Sequence, residues 1–160
     1  MRKDNSLSQM QMEVRHEVER AFKRECPPES EKIIDTGYIE PLQVREFFSG
    51  RPWWEITLEV LRSEYSGDAS ACLSFMSAEG RNYYIPAYLL MAVEKYYEGG
   101  VVSADFSARL LMYARDDEFY RVSELGVEKM HAVAEVLRFL VDFYDDEDAQ
   151  DALDVLWGDF

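Results

Sequence analysis

Two Glu-x-x-His pairs stand out among the residues that could do chemistry, Glu13-x-x-His16 and Glu128-x-x-His131. A carboxylate di-iron bundle uses two such pairs, each aimed into the bundle from its own helix. Facing therefore decides the matter. At about 100° per residue, His16 falls about 180° and Glu13 about 120° from the centre of the first helix's apolar stripe. On the second helix Glu128 falls about 170° away and His131 about 130°. All four are expected to face water, and no metal or other cofactor is expected. The same histidines are the sole candidates for a general base at neutral pH, and neither accompanies a Ser or Cys in a nucleophile motif.

The other reactive groups read in the same way. Cys72 lies in an apolar run, where a buried, inert thiol is expected, and with Cys26 it forms no CxxC. Neither GxGxxG nor GxxxxGK[ST] occurs, so no phosphate loop is expected. An EF-hand loop begun at Asp146 would have Asp148 at its third position, but Gln150 at the fifth, Asp151 in place of the glycine and Trp157 in place of the glutamate. Paired carboxylates carry no information in a chain with 32 acids. The stretch from Arg81 through Tyr83, Tyr84 and Tyr88 concentrates polar aromatics beside Pro86 and invites a ligand-pocket reading; core packing with hydroxyls reaching the surface is the competing one. Trp53-Trp54 follows Pro52 and reads as packed into its own domain, with an exposed hot-spot pair as the alternative.

These residues need helices to position them. Leu7, Met10, Val14, Val18 and Phe22 recur at helical spacing over 7–25, and Pro27-Pro28 stops that helix. Short helices are expected over 41–48, with Pro41 in the first turn, and from Thr57 as N-cap to about Tyr65. The run 71–76 reads as a buried strand or an extended linker. Ser77 caps a further turn, Pro86 forces a kink or restart, and an apolar stripe of Leu89, Leu90, Val93, Tyr96 and Tyr97 ends at Gly99-Gly100. Asp105 is placed to cap a helix over 106–114. Met130, Val133, Leu137, Leu140, Val141 and Tyr144 lie on one face of a long helix over 127–144, expected at the centre of the core. A final helix over 147–157 would turn Ala149, Leu153 and Leu156 inward and its aspartates outward. The fold class is all-α: six or seven helices in a single domain around the 127–144 helix, with one possible short strand near 71–76.

Bulk properties bound the rest. A chain of 160 residues, 48% hydrophobic, buries enough surface to fold without a staple. The polar first twenty residues lack the apolar core of a signal peptide, and the longest apolar stretch, 83–93, is too short to cross a membrane. A reduced, cytoplasmic protein is expected. The net charge of −15 is segregated: the last nineteen residues hold eight acids and no Lys or Arg. Such a field repels phosphate backbones and anionic lipid and attracts basic proteins, so neither nucleic acid nor membrane is an expected partner.

Three stretches together resemble an uncharacterised family of small bacterial proteins: Trp54-Glu55-Ile56-Thr57, the segment from Leu73 to Leu89 with its Glu79-Gly80 and Tyr83-Tyr84-Ile85-Pro86-Ala87-Tyr88, and Leu125 through Leu140. Lys129 stands about where the family pattern has a glutamine. The resemblance implies a bacterial origin and a helical domain, and no activity or site.

Two functional expectations follow. The first is a cytoplasmic protein-binding module, immunity- or inhibitor-like, that docks a basic partner through Asp145, Asp146, Glu147, Asp148, Asp151 and Asp154. The second is an enzyme or small-molecule binder with a site around Arg81, Tyr83, Tyr84 and Tyr88.

Overall fold

Three long helices carry the core. In this computed structural model, which describes residues 2–35 and 38–160, they are α1 (Arg2–Phe22), α4 (Ala78–Glu94) and α8 (Val127–Tyr144). Around them lie α2 (Ile39–Phe48), α3 (Leu58–Glu64), the single turn α5 (Val101–Ala104), α6 (Phe106–Arg115), the single turn α7 (Asp117–Tyr120) and α9 (Glu147–Val155). No strand is present among the described residues. No helix there is long and apolar enough to cross a membrane.

The all-α expectation is met, with nine α-helices among the described residues in place of six or seven. The additional ones include the turns α5 and α7, too short for apolar periodicity to reveal. The run 71–76 is neither strand nor extended linker: Ala69–Phe75 forms a 3-10 helix whose first turn Asp68 caps by accepting from the Ser70 N–H at 3.0 Å. An apolar run that short has no period, and the capping aspartate outside it decided the conformation. Pro86 causes no restart, since α4 continues through it, with Pro86 itself buried. Asp105 makes no side-chain cap bond, because α5 leads directly into α6 and Asp105 takes a right-handed helical conformation between them.

Other local signals act as read. Thr57 and Ser77 accept from the N–H groups of Val60 and Gly80 at 3.2 and 3.0 Å and so cap α3 and α4. The 127–144 helix has the expected bounds, and Met130, Val133, Leu137 and Leu140 are fully buried. It is not the only centre: it packs along α1, α1 packs along α4, and α9 folds back onto α6 and α8. Gly80 permits the closest approach. A Cβ there would lie 2.6 Å from the Ile33 carbonyl oxygen, so only glycine lets the start of α4 rest on that backbone. Ser77 completes the seam, its N–H donating to the Ile33 carbonyl at 2.7 Å and its hydroxyl to that of Lys32.

Candidate functional site

The acidic C-terminal segment is an ordered amphipathic helix. Ala149 and Ala152 of α9 are fully buried, Leu153 is half-buried, and Glu147, Asp148, Asp151 and Asp154 are exposed, as is Asp145 just before it. Asp146 points the other way. It is 8% exposed and caps α9 by accepting from the Ala149 N–H at 3.0 Å. The Ser107 hydroxyl of α6 lies 2.9 Å from each of its carboxylate oxygens, and the Tyr96 hydroxyl donates to it at 2.9 Å. Five of the six acids singled out in the sequence thus share a solvent-facing surface, and the sixth anchors it.

None of those five acids forms an ion pair among the described residues. Asp148 registers its partial burial and then the surrounding charge. Its carboxyl is held above the usual carboxylate range, first by that burial and then by the negative charges of Asp146, Asp151, Asp105 and Glu147. Beside this surface three tyrosines cluster: Tyr96 and Tyr144 stack with ring centroids 4.0 Å apart, and Tyr97, 77% exposed, stands edge-on to both.

The Arg81–Tyr88 group is mostly core. Arg81, 3% exposed, donates to the carbonyls of Leu73 at 3.1 Å, Met76 at 2.6 Å and Tyr120 at 2.9 Å. Its guanidinium also lies over the Tyr120 and Tyr113 rings, 4.8 and 5.3 Å from their centroids. The single Tyr84 hydroxyl proton is shared between the carbonyls of Phe48 and Arg51, at 2.8 and 2.7 Å, and Tyr88 donates to that of Ala69 at 3.0 Å. Burial pushes both phenols up. Tyr83, half-buried, donates to the Glu25 carbonyl and accepts from the Trp53 N–H. The three tyrosine hydroxyls therefore hold loops and 3-10 turns onto α4.

Arg81 also borders an open cavity. A cleft of about 940 Å³ runs between the entry to α2, the end of the Ala69–Phe75 turn, the start of α4, and α7. Tyr38, Pro41, Phe75, Met76 and Phe119 make most of its apolar wall. Asp35, Glu118 and Arg121 stand exposed at its rim. Sequence reasoning did not find this cleft. The available signal was two aromatics, Tyr38 and Phe119, outside every apolar stripe; they are 78% and 69% exposed at its edge.

The remaining candidates carry less. His16, Glu13, Glu128 and His131 are all exposed, in keeping with their expected facing. Packing of α1 along α8 nevertheless brings His16, His131, Glu13 and Glu135 around one shallow groove, a convergence the helical wheels could not reveal. No group of three potential ligands suited to a metal occurs among the described residues. Cys72 is buried and its thiol is pushed up to about 11, chiefly by burial, which suits the inert reading. Trp53 is packed inside and donates from its indole N–H to the Lys23 carbonyl at 3.0 Å, while Trp54 is half-buried under the Arg24 guanidinium. Lys129 lies over the Phe22 ring, 5.6 Å from its centroid, and so joins α8 to α1.

The chain belongs to a family of unknown function, DUF6714, whose model matches residues 5–158. No curated protein and no solved structure matches it.

Proposed function

We propose that this member of the family is a bacterial, cytoplasmic protein-binding module that docks a basic partner on the outer face of α9. The observation that carries the reading is Glu147, Asp148, Asp151 and Asp154, exposed on a helix anchored by Asp146, with Asp145 exposed just before it, all without ion-pair partners among the described residues. Surface acids kept only for solubility are ordinarily interspersed with bases. Here the last nineteen residues contain no Lys or Arg at all. Charge set on a preorganised helix raises the association rate of an oppositely charged protein and lowers the ordering cost of binding. Neutralising a toxin or another basic protein, as immunity proteins do, is the concrete form of the role. Exposed Tyr97 beside the acids supplies the kind of aromatic that anchors such interfaces.

The test compares the native chain with a variant carrying Asp145→Asn, Glu147→Gln, Asp148→Asn, Asp151→Asn and Asp154→Asn as immobilised baits in native lysate. A basic polypeptide should be retained by the native chain, released as salt rises, and lost from the variant. Equal capture by both baits, or no stoichiometric capture by the native one at low salt, would overturn the reading.

A further inference from the structure

The cleft beside α7 differs from α9 in kind: its charge is inside and its rim is mixed. A volume of about 940 Å³ is that of a small-molecule site, and the walls from Phe75, Met76, Pro41 and Phe119 are apolar. Tyr38 and Phe119 leave large apolar surface in water at its mouth, which a bound apolar group would cover.

Arg81 gives the ligand its polarity. Its three backbone partners are neutral carbonyls, and it forms no ion pair with a carboxylate among the described residues. Burial correspondingly lowers its pKa, against the fields of the Tyr113 and Tyr120 hydroxyls and of Asp35. Charges at the rim act differently. Asp35, Glu118 and Arg121 are exposed, and water screens them, whereas a charge buried as Arg81 is acts in a lower dielectric. Arg81 is therefore the buried charge that a group inside the cleft meets.

We propose that this cleft binds an amphipathic carboxylate, an apolar chain or ring bearing a single anionic group, with the carboxylate toward Arg81 and the apolar body against Phe75, Met76 and Phe119. The ligand's head forms the ion pair that Arg81 lacks among the described residues, and its body covers the exposed aromatics at the mouth. This site is independent of α9 and stands whether or not a basic protein docks there.

Calorimetric titration of the full chain with decanoate, decan-1-ol and decylamine tests it. The three probes share one apolar body and differ in the charge of the head. Decanoate should bind at least about tenfold more tightly than either of the others. Phe119→Glu and Tyr38→Ser, both at exposed positions, should each weaken decanoate about fivefold or more while leaving Tm within about 2 °C of the native value. These rim variants keep the test decisive even where Arg81→Gln fails to fold. No decanoate binding, equal affinity for the three probes, or decanoate affinity indifferent to both rim substitutions would each overturn the proposal.

Discussion

Asp146 and Ser107 meet across thirty-nine positions of sequence, the serine hydroxyl 2.9 Å from each oxygen of a nearly buried carboxylate. Through this contact the acidic helix is attached to α6, while the same carboxylate caps the helix it begins. One acid of the segment is therefore structural and its neighbours are not, a division that substitution can read directly.

Asp146→Ala removes the cap of α9 and leaves the buried Ser107 hydroxyl without its acceptor. A loss of about 2–4 kcal/mol is expected from the cap and the orphaned donor together. Asp151→Asn or Asp154→Asn, on the exposed face, should change stability by less than about 0.5 kcal/mol. Urea denaturation of the three variants checks the contrast, and comparable losses in all three would refute it.

Asp148 is expected to behave in the opposite sense to Asp146. Its carboxyl is raised by partial burial and by surrounding negative charge. A group whose folded pKa lies above its unfolded value favours folding below the unfolded pKa, and that contribution is lost as pH rises through the folded pKa. Asp148→Asn should therefore leave stability nearly unchanged in acid and raise it slightly near neutrality. Solvent screening limits the gain to a few tenths of a kcal/mol, on the order of a surface pair. Thermal melts across pH 3–8 (roughly the range that spans a carboxyl's titration) would expose a gain of the wrong sign.

Arg81→Met would remove three hydrogen bonds and leave the Leu73, Met76 and Tyr120 carbonyls to find other donors. A cost of about 3–5 kcal/mol is expected, because each buried carbonyl left unpaired costs about 1–3 kcal/mol. Arg81→Lys should recover little of it, since a single ammonium cannot reach three divergent carbonyls in the plane that a guanidinium spans. Recovery of native stability by lysine in chemical denaturation would show that charge alone matters there.

Gly80→Ala tests the seam between α4 and the segment before α2. The added Cβ would meet the Ile33 carbonyl oxygen at 2.6 Å, a backbone atom that the Ser77 N–H already holds in place. Destabilisation of about 2 kcal/mol or more is expected, although alanine is the better helix former by about 1 kcal/mol. A variant as stable as the native chain in denaturant would mean that the seam yields freely.

The two cysteines offer a chemical check. Cys72 is buried with its thiol pushed up to about 11, and Cys26 is exposed. A thiol-specific reagent at pH 8 should modify one cysteine per folded chain, and both only after unfolding. Rapid modification of both in the native state would contradict the packing around Cys72.

What the sequence alone determined was local. The spacing of Met130, Val133, Leu137 and Leu140 determined α8 and its buried face, because a helix repeats every 3.6 residues whatever surrounds it. Thr57 and Ser77 determined where α3 and α4 begin, since each cap bond reaches only three residues along the chain. The outward face of α9 was legible in the same way, from Ala149 and Leu153 against Asp148, Asp151 and Asp154. Tertiary structure decided what depends on distant partners. Asp146 looked like its acidic neighbours until α6 brought Ser107 and α4's end brought Tyr96 against it. Tyr84 and Tyr88 became part of the core because carbonyls of Arg51 and Ala69 arrived at their hydroxyls. The cleft beside Arg81 has walls from segments near residues 38, 75 and 119. No periodicity within any one of them encodes a cavity, because an unfilled volume is set by how separate elements fail to close on each other.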